Sequence, residues 1–311
     1  MTRPCSTFTC TITPFAADRS LDEEAWRNHL DRLAAAGMGV YVGSSSPGEG
    51  YALSLDETET LYGVAAEVVK GRAPARAMGV ETHTAAEYLE IIAIAEKVGL
   101  EAMQIYCVDS GHANKPTTAE LELYFRTILE GSTIPCVLSS HIYNGYVVPN
   151  DLVDRLLTDY PGRILGLNVT NTDLTYVSRM VDTVDGRCDV HVGGPMQAMT
   201  ILALGGQGFL STDGNLIPET CVGVIRAHAS GDLAASAEAY AQVLRFFSSN
   251  IWPGGSMRYL KAIIRLLGMP GHTLRPPFLP LEGVPDEQIL ERLGSLGIPE
   301  LDRLLTARPA G

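Results

Sequence analysis

Four stretches of the chain end an apolar run in a cluster of hydroxyl, imidazole or amide groups. They are Gly43-Ser44-Ser45-Ser46-Pro47-Gly48-Glu49-Gly50, Ser140-His141-Ile142-Tyr143-Asn144, Leu167-Asn168-Val169-Thr170 and Ser211-Thr212-Asp213-Gly214-Asn215. A phenol such as Tyr143 donates and accepts at one oxygen, which suits it to shuttling protons. The serine hydroxyls of the first stretch can hold a carboxylate or an oxyanion. An ordinary Gly/Ser-rich turn has the same composition, and the Gly-Lys-Ser/Thr ending of a phosphate-binding loop is missing. The carboxamide of Asn168 can donate a hydrogen bond to a carbonyl oxygen. Its nitrogen is not nucleophilic and cannot form an imine, a step that needs an amine.

Amines are scarce. The sequence has four lysines, Lys70, Lys97, Lys115 and Lys261, and none lies between the last two. Lys70 and Lys97 fall at predicted helix ends and read as solvated charges, Lys115 lies in a loop, and Lys261 lies in the C-terminal tail. His141 is a candidate acid/base partner for Tyr143, or a substrate-binding group. Together with His112 and His191 it could supply zinc with imidazoles. No His-x-His or acidic pairing accompanies the three, so the expectation is no metal.

Such residues need a scaffold that gathers strand ends. Strands are predicted over 7–13, 39–43, 76–80, 102–106, 136–140, 164–169, 189–192 and 208–211. Helices are predicted over 23–36, 56–69, 85–98, 118–130, 150–158, 174–184, 196–203 and 218–229. Asp56 and Glu59 stand at capping-box spacing for the second helix, and Gly37 and Gly99 are helix-ending glycines. Eight strands each followed by a helix predict an α/β fold, a (β/α)8 barrel, rather than an open doubly wound sheet. No Gly-x-Gly-x-x-Gly follows the first strand. The barrel rhythm covers residues 1–231. Residues 232–311 read as a C-terminal helical segment packed on the barrel, with helices over 233–250, 257–267 and 286–293. In this architecture the active site lies at the carboxyl ends of the strands, where all four stretches fall.

Composition sets the outer limits. Apolar residues make up 46% of the 311 and charged residues 19%, which suits a globular protein with a sizeable core. A formal net charge of −13 argues against nucleic acid, because phosphate contacts need clustered Lys and Arg. No apolar run reaches the ~18 residues of a membrane span, and no signal peptide is visible. The six cysteines contain no Cys-x-x-Cys pair and read as reduced core residues. A cytoplasmic location is the expectation.

The order of these pieces resembles the dihydrodipicolinate synthase / N-acetylneuraminate lyase family of pyruvate-handling aldolases. The resemblance begins at Thr13-Pro14-Phe15 and passes through the Gly-Ser-Ser…Gly-Glu-Gly loop and Leu53-Ser54-Leu55-Asp56-Glu57. It continues through Asn114-Lys115-Pro116-Thr117, Ile142-Tyr143-Asn144 and Gly205-Gly206-Gln207-Gly208, and ends at Leu274-Arg275-Pro276-Pro277. It implies a lyase acting on a small 2-oxo acid-like substrate, with no cofactor, in a homo-oligomer (dimer or tetramer). Tyr143 resembles the family's catalytic tyrosine. Ser44 and Ser45 resemble the hydroxyl pair that holds the substrate carboxylate, although Ser46-Pro47 resembles an insertion and leaves the serine roles open. Tyr106 could stand for a second tyrosine, and Gly193 and Ser211 fall at substrate-binding positions.

Two departures break the pattern. The family places its Schiff-base lysine in an Ile-Lys-Asp/Glu sequence where this chain has Leu167-Asn168-Val169, and its Pro-x-Arg-Thr-Gly carboxylate clamp is here Asn144-Gly145-Tyr146-Val147-Val148-Pro149. Two readings follow. One is a lyase without an imine, using Tyr143 for proton transfer and Asn168 with Ser44/Ser45 as hydrogen-bond donors. The other is a catalytically silent protein that binds a small metabolite.

Overall fold

The strand-forming segments close on themselves. The computed structural model describes residues 3–308. Its eight strands are β1 (Ser6–Cys10), β2 (Gly39–Val42), β3 (Ala75–Met78), β4 (Met103–Ile105), β5 (Cys136–His141), β6 (Ile164–Thr170), β7 (Asp189–Gly193) and β8 (Gly208–Ser211). Each pairs in parallel with the next, and β8 pairs with β1, with Phe8 opposite Leu210. Closure brings β8 hard against β1. A Cβ on Gly208 would lie 2.0 Å from the Ser6 carbonyl oxygen, and its φ of +150° is one that side chains avoid.

Helices cover the barrel's outside: α1 (Glu23–Ala36), α2 (Leu55–Val69), α3 (Ala85–Val98), α4 (Thr118–Gly131), α5 (Asn150–Asp159), α6 (Leu174–Val184), α7 (Ala198–Ala203) and α8 (Pro218–Ala229). Their ends follow local chemistry. Asp22 accepts from the Ala25 N–H to start α1, and Gly37 ends it in the left-handed region. Thr84 and Gly99 do the same for α3. The capping box of α2 differs from expectation. It is formed by Ser54 and Glu57 rather than Asp56 and Glu59, because the helix starts one residue earlier, at Leu55. Before α7, residues Pro195–Gln197 form a 3-10 turn, which shortens the predicted helix.

Beyond the barrel come α9 (Leu233–Ser249), α10 (Gly255–Leu266), α11 (Asp286–Gly294) and α12 (Pro299–Ala307). The last was not expected, although Pro299 at its first turn is a standard start signal. No helix among the described residues is long and apolar enough to cross a membrane.

Between barrel and helices lies a continuous apolar core that includes Trp26, Leu30, Leu61, Phe125, Leu156 and Phe209, all buried. Trp26 packs fully inside with its indole N–H donating to the Leu61 carbonyl at 3.0 Å. The barrel's amino-terminal end is filled differently, by Phe8, Tyr41, Arg76, Asp189 and His191. The Arg76 guanidinium lies 4.3 Å from the Phe8 ring centre, donates to the Tyr41 hydroxyl at 3.0 Å and approaches Asp189 at 4.0 Å. His191 pairs with the Ser6 hydroxyl at 2.9 Å. It is therefore a core residue, and no group of three or more His, Cys, Asp or Glu among the described residues could hold a metal.

Candidate active site

At the opposite, carboxyl end the strands open into a cavity of about 320 Å³. β4 and its continuation contribute Gln104 and Tyr106, β5 contributes Ser139 and His141, and β6 contributes Asn168 and Thr170. β1 adds Cys10, β7 adds Gly193, and β8 adds Leu210 and Ser211. Gly193 is needed there, since a Cβ would lie 1.9 Å from the Thr170 hydroxyl oxygen. Phe247 of α9 and Ser256 of α10 complete the wall, so the C-terminal helices take part in the site.

Asn168 sits on the floor, 2% exposed. Alternation along β6 turns residues 166, 168 and 170 inward. Its amide nitrogen donates to the side-chain oxygen of Gln104, two strands away, while its own oxygen has no partner. Beneath it, burial pushes the Tyr41 phenol pKa up, against the lowering effect of the Arg76 charge and of the hydrogen bond that Arg76 donates. Asn168 is thus the junction between the filled lower barrel and the open cavity.

Three aromatic rings climb one wall. Tyr106 and His141 have ring centres 6.3 Å apart, and His141 and Tyr143 are 5.0 Å apart. The Tyr106 hydroxyl donates to the Met78 sulfur at 3.3 Å and is buried. Burial holds the His141 pKa below its ordinary value, so its imidazole is neutral near pH 7. Tyr143 is 80% exposed at the rim, and its hydroxyl bonds to no protein group among the described residues.

The serines divide. Ser46 lines the cavity, while Ser44 and Ser45 are absent from its wall. Ser44 is fully buried, with its hydroxyl accepting from the Gly48 N–H at 3.2 Å, and the Ser45 hydroxyl donates to the Glu81 carboxylate. The cause is the tether of the following residues. Thr13 donates to the Gly48 carbonyl at 2.5 Å, and Glu49 is drawn into a buried ion pair with Lys261. Of the expected site residues, the structure brings Ser46, Tyr106, His141, Tyr143, Asn168, Gly193 and Ser211 to one cavity and leaves Ser44 and Ser45 behind it.

Among the described residues, no lysine lines the cavity. Lys261 is occupied by Glu49 and by the Thr13 and Thr273 carbonyls, Lys97 pairs with Glu59 on the outer helices, and Lys115 lines a separate surface cleft beside Asn114 and Glu120. Sequence reasoning missed Gln104, Ser139, Phe247 and Ser256. The signal for Gln104 was a polar side chain inside an otherwise apolar strand, two residues before Tyr106.

A closed barrel with a cavity of this kind at its carboxyl end belongs to the (β/α)8 enzyme class. More specifically, the chain belongs to the dihydrodipicolinate synthetase family of aldolase-type lyases, whose model matches residues 4–293. It is 31% identical to the 4-hydroxy-tetrahydrodipicolinate synthase of Methanoculleus marisnigri, over 92% of this chain and 97% of that one. With the enzyme of the same name from Methanopyrus kandleri it shares 28%, over 92% and 94%. Among solved structures, a prophage protein of the family from E. coli K12, in complex with pyruvate, is 25% identical with a TM-score of 0.86, covering 94% and 98%. The dihydrodipicolinate synthase of Thermotoga maritima shares the fold at a TM-score of 0.86 and 23% identity, covering 94% and 99%.

Proposed function

We propose that the protein is a lyase that works on a small carbonyl compound without a Schiff base. Asn168 stands where the family's imine-forming lysine is expected. The observation that carries the reading is that the described residues around the cavity include hydrogen-bond donors and proton carriers but no amine. The Asn168–Gln104 amide pair stabilises negative charge developing on the substrate carbonyl oxygen, an effect worth a few kcal/mol per donor. Tyr143 transfers the proton, with the neutral His141 ring beside it as partner. This suffices for enolisation, dehydration or an eased retro-aldol step. It supplies less than covalent activation by an iminium would. The reading includes a homo-oligomer, dimer or tetramer, on the strength of family membership.

The test is a screen of small carbonyl compounds with wild type, Tyr143→Phe and Asn168→Ala. We expect Tyr143→Phe to lower kcat by about 10²–10⁴, the usual worth of general acid–base catalysis, with KM little changed. A Tyr143→Phe enzyme as active as wild type on every substrate would remove the assigned proton carrier. The exposure of Tyr143, whose hydroxyl no protein group orients, favours a second reading, a protein that binds a metabolite without turning it over. That reading expects ligand binding with no turnover anywhere in the screen.

A further inference from the structure

We infer that the substrate of this cavity is an uncharged carbonyl compound with an apolar arm, aryl or branched alkyl, that packs against Met196 and Phe247 at the mouth. The inference rests on the reading of this cavity as an imine-free active site and narrows its small carbonyl to one with a hydrophobic substituent.

Accessible apolar surface is the first argument. Tyr143 is 80% exposed, Met196 53% and Phe247 38%, and all three line the cavity. A lone exposed hydrophobic residue is ordinary, but several that converge on one concavity mark a surface built to be covered. The cleft beside Lys115 has one such residue, Leu123. Deeper in the cavity the lining changes, since Gln104, Ser139, Asn168 and Ser211 are all buried. Polar groups thus lie at the floor and accessible apolar groups at the mouth. A ligand that carries its carbonyl down to the floor leaves the rest of itself among Tyr143, Met196 and Phe247.

The mouth is held in place before any ligand arrives. Met196 lies in the 3-10 turn Pro195–Gln197, which three hydrogen bonds pin. The Gly194 N–H donates to the Leu210 carbonyl at 2.7 Å, the Gln197 amide to the Asn171 carbonyl at 2.9 Å, and the Tyr240 hydroxyl to the Met196 carbonyl at 2.6 Å. Tyr240 and Phe247 both lie on α9, at the i and i+7 spacing that puts two residues on one helix face. One helix therefore carries Phe247 and clamps the backbone of Met196. Such preorganisation lowers the entropic cost of covering the two side chains. Methionine also adapts to irregular apolar shapes and makes favourable contacts with aromatic rings.

Charge excludes an acidic substrate. Among the described residues, no Lys, Arg, Asp or Glu lines the cavity, and burial holds His141 neutral. The Glu81 carboxylate, held by the Ser45 hydroxyl, makes the field at the Tyr106 wall negative. A carboxylate entering here would lose water without meeting a cation, which is strongly unfavourable. A neutral ligand meets no such penalty.

Three probes separate the possibilities: acetone is the bare ketone, benzylacetone adds an aryl arm, and phenylpyruvate puts the aryl arm on an anion. Dissociation constants are measured by ligand-observed NMR on the full-length wild-type protein. We expect benzylacetone to bind about tenfold or more tightly than acetone, the worth of burying one aromatic ring, and more tightly than phenylpyruvate. The place of binding is read on protein with methyl-labelled methionine. The Met196 signal, assigned by its loss in Met196→Leu, should move more with benzylacetone than with acetone. Phe247→Ala should lose most of the preference for the aryl arm. Equal affinity for acetone and benzylacetone would overturn the inference, and so would phenylpyruvate binding as tightly as benzylacetone or a Met196 signal indifferent to the aryl arm. The wild-type ranking needs no variant, so a poorly folding Phe247→Ala leaves the inference exposed to refutation. These equilibria need no turnover. Borohydride trapping and Tyr143→Phe kinetics judge the imine-free reading separately, so either can fail alone.

Discussion

Lys261 on α10 and Glu49 in the loop after β2 form a buried ion pair between positions 212 residues apart in sequence. The pair is completed by the Thr13 carbonyl at 3.0 Å from the lysine and by the Arg275 N–H at 3.0 Å from the carboxylate. Arg275 in turn grips Glu57 through two nitrogens. One cluster thus joins the serine loop, the start of α2 and the C-terminal segment. It also removes the single fully buried lysine from the cavity.

Cutting this pair on one side should cost far more than its net worth. Lys261→Met leaves Glu49 buried without a cation, and we expect a loss of about 3–5 kcal/mol of unfolding free energy. The double variant Lys261→Met/Glu49→Gln should recover part of that loss. Urea unfolding of the variants checks it, and a Lys261→Met protein within ~1 kcal/mol of wild type would show that the pair does not hold the loop.

Acid should loosen the fold through two buried imidazoles. Burial lowers the pKa of His29 to about 3 and that of His191 to about 4, both below the ordinary 6.5. The stability tied to their neutral forms is fully present above pH 6.5 and is lost as pH falls toward 4 and 3. Each contributes a slope of up to about 1.4 kcal/mol per pH unit in that window. His29 bonds the Asn215 oxygen at 2.9 Å, and Asn215 also donates to the Cys10 carbonyl at 2.7 Å, so protonation strikes where β8 meets β1. His29→Gln should flatten the stability curve between pH 6 and 4 and leave its shape above pH 7 unchanged. An unaltered acid limb in urea titrations would contradict this.

Asp213 acts with the opposite sign. Burial raises its pKa to about 7, and one of its oxygens has no partner. The protonated form is the stabilising one. Its contribution is complete below the ordinary 3.8 and is lost as pH rises to 7. Asp213→Asn should therefore stabilise the protein at pH 8, by up to about 4 kcal/mol for a shift of this size. The gain should shrink toward zero near pH 4. A variant less stable than wild type at pH 8 would show that the ionised carboxylate makes a favourable contact.

Much of the barrel was legible because its signals are local. Gly37 and Gly99 end α1 and α3 in the left-handed region, as helix-ending glycines were expected to do. Where two local patterns competed, sequence could not choose. Ser54…Glu57 and Asp56…Glu59 both have capping-box spacing, and only the chain's approach to the helix decides between them. The site was legible in part for the same reason. Strand alternation places Asn168 and Tyr106 at the barrel mouth, but the serine loop is set by Thr13 and Lys261, which are distant in sequence. Gln104 was missed because a glutamine's role depends on its partner, and its partner lies on β6.

The central claim is that this barrel works without an imine. Its most direct test is to incubate the wild-type protein with pyruvate or other 2-oxo acids and with uncharged ketones, reduce with borohydride, and weigh the intact chain. Asn168→Lys serves as the positive arm and should gain a partial mass increment, held down by the absence of an arginine clamp. For wild type the account predicts no increment with any compound. A reduced adduct mapped to Lys70, Lys97, Lys115 or Lys261 and lost when that lysine is replaced would contradict it.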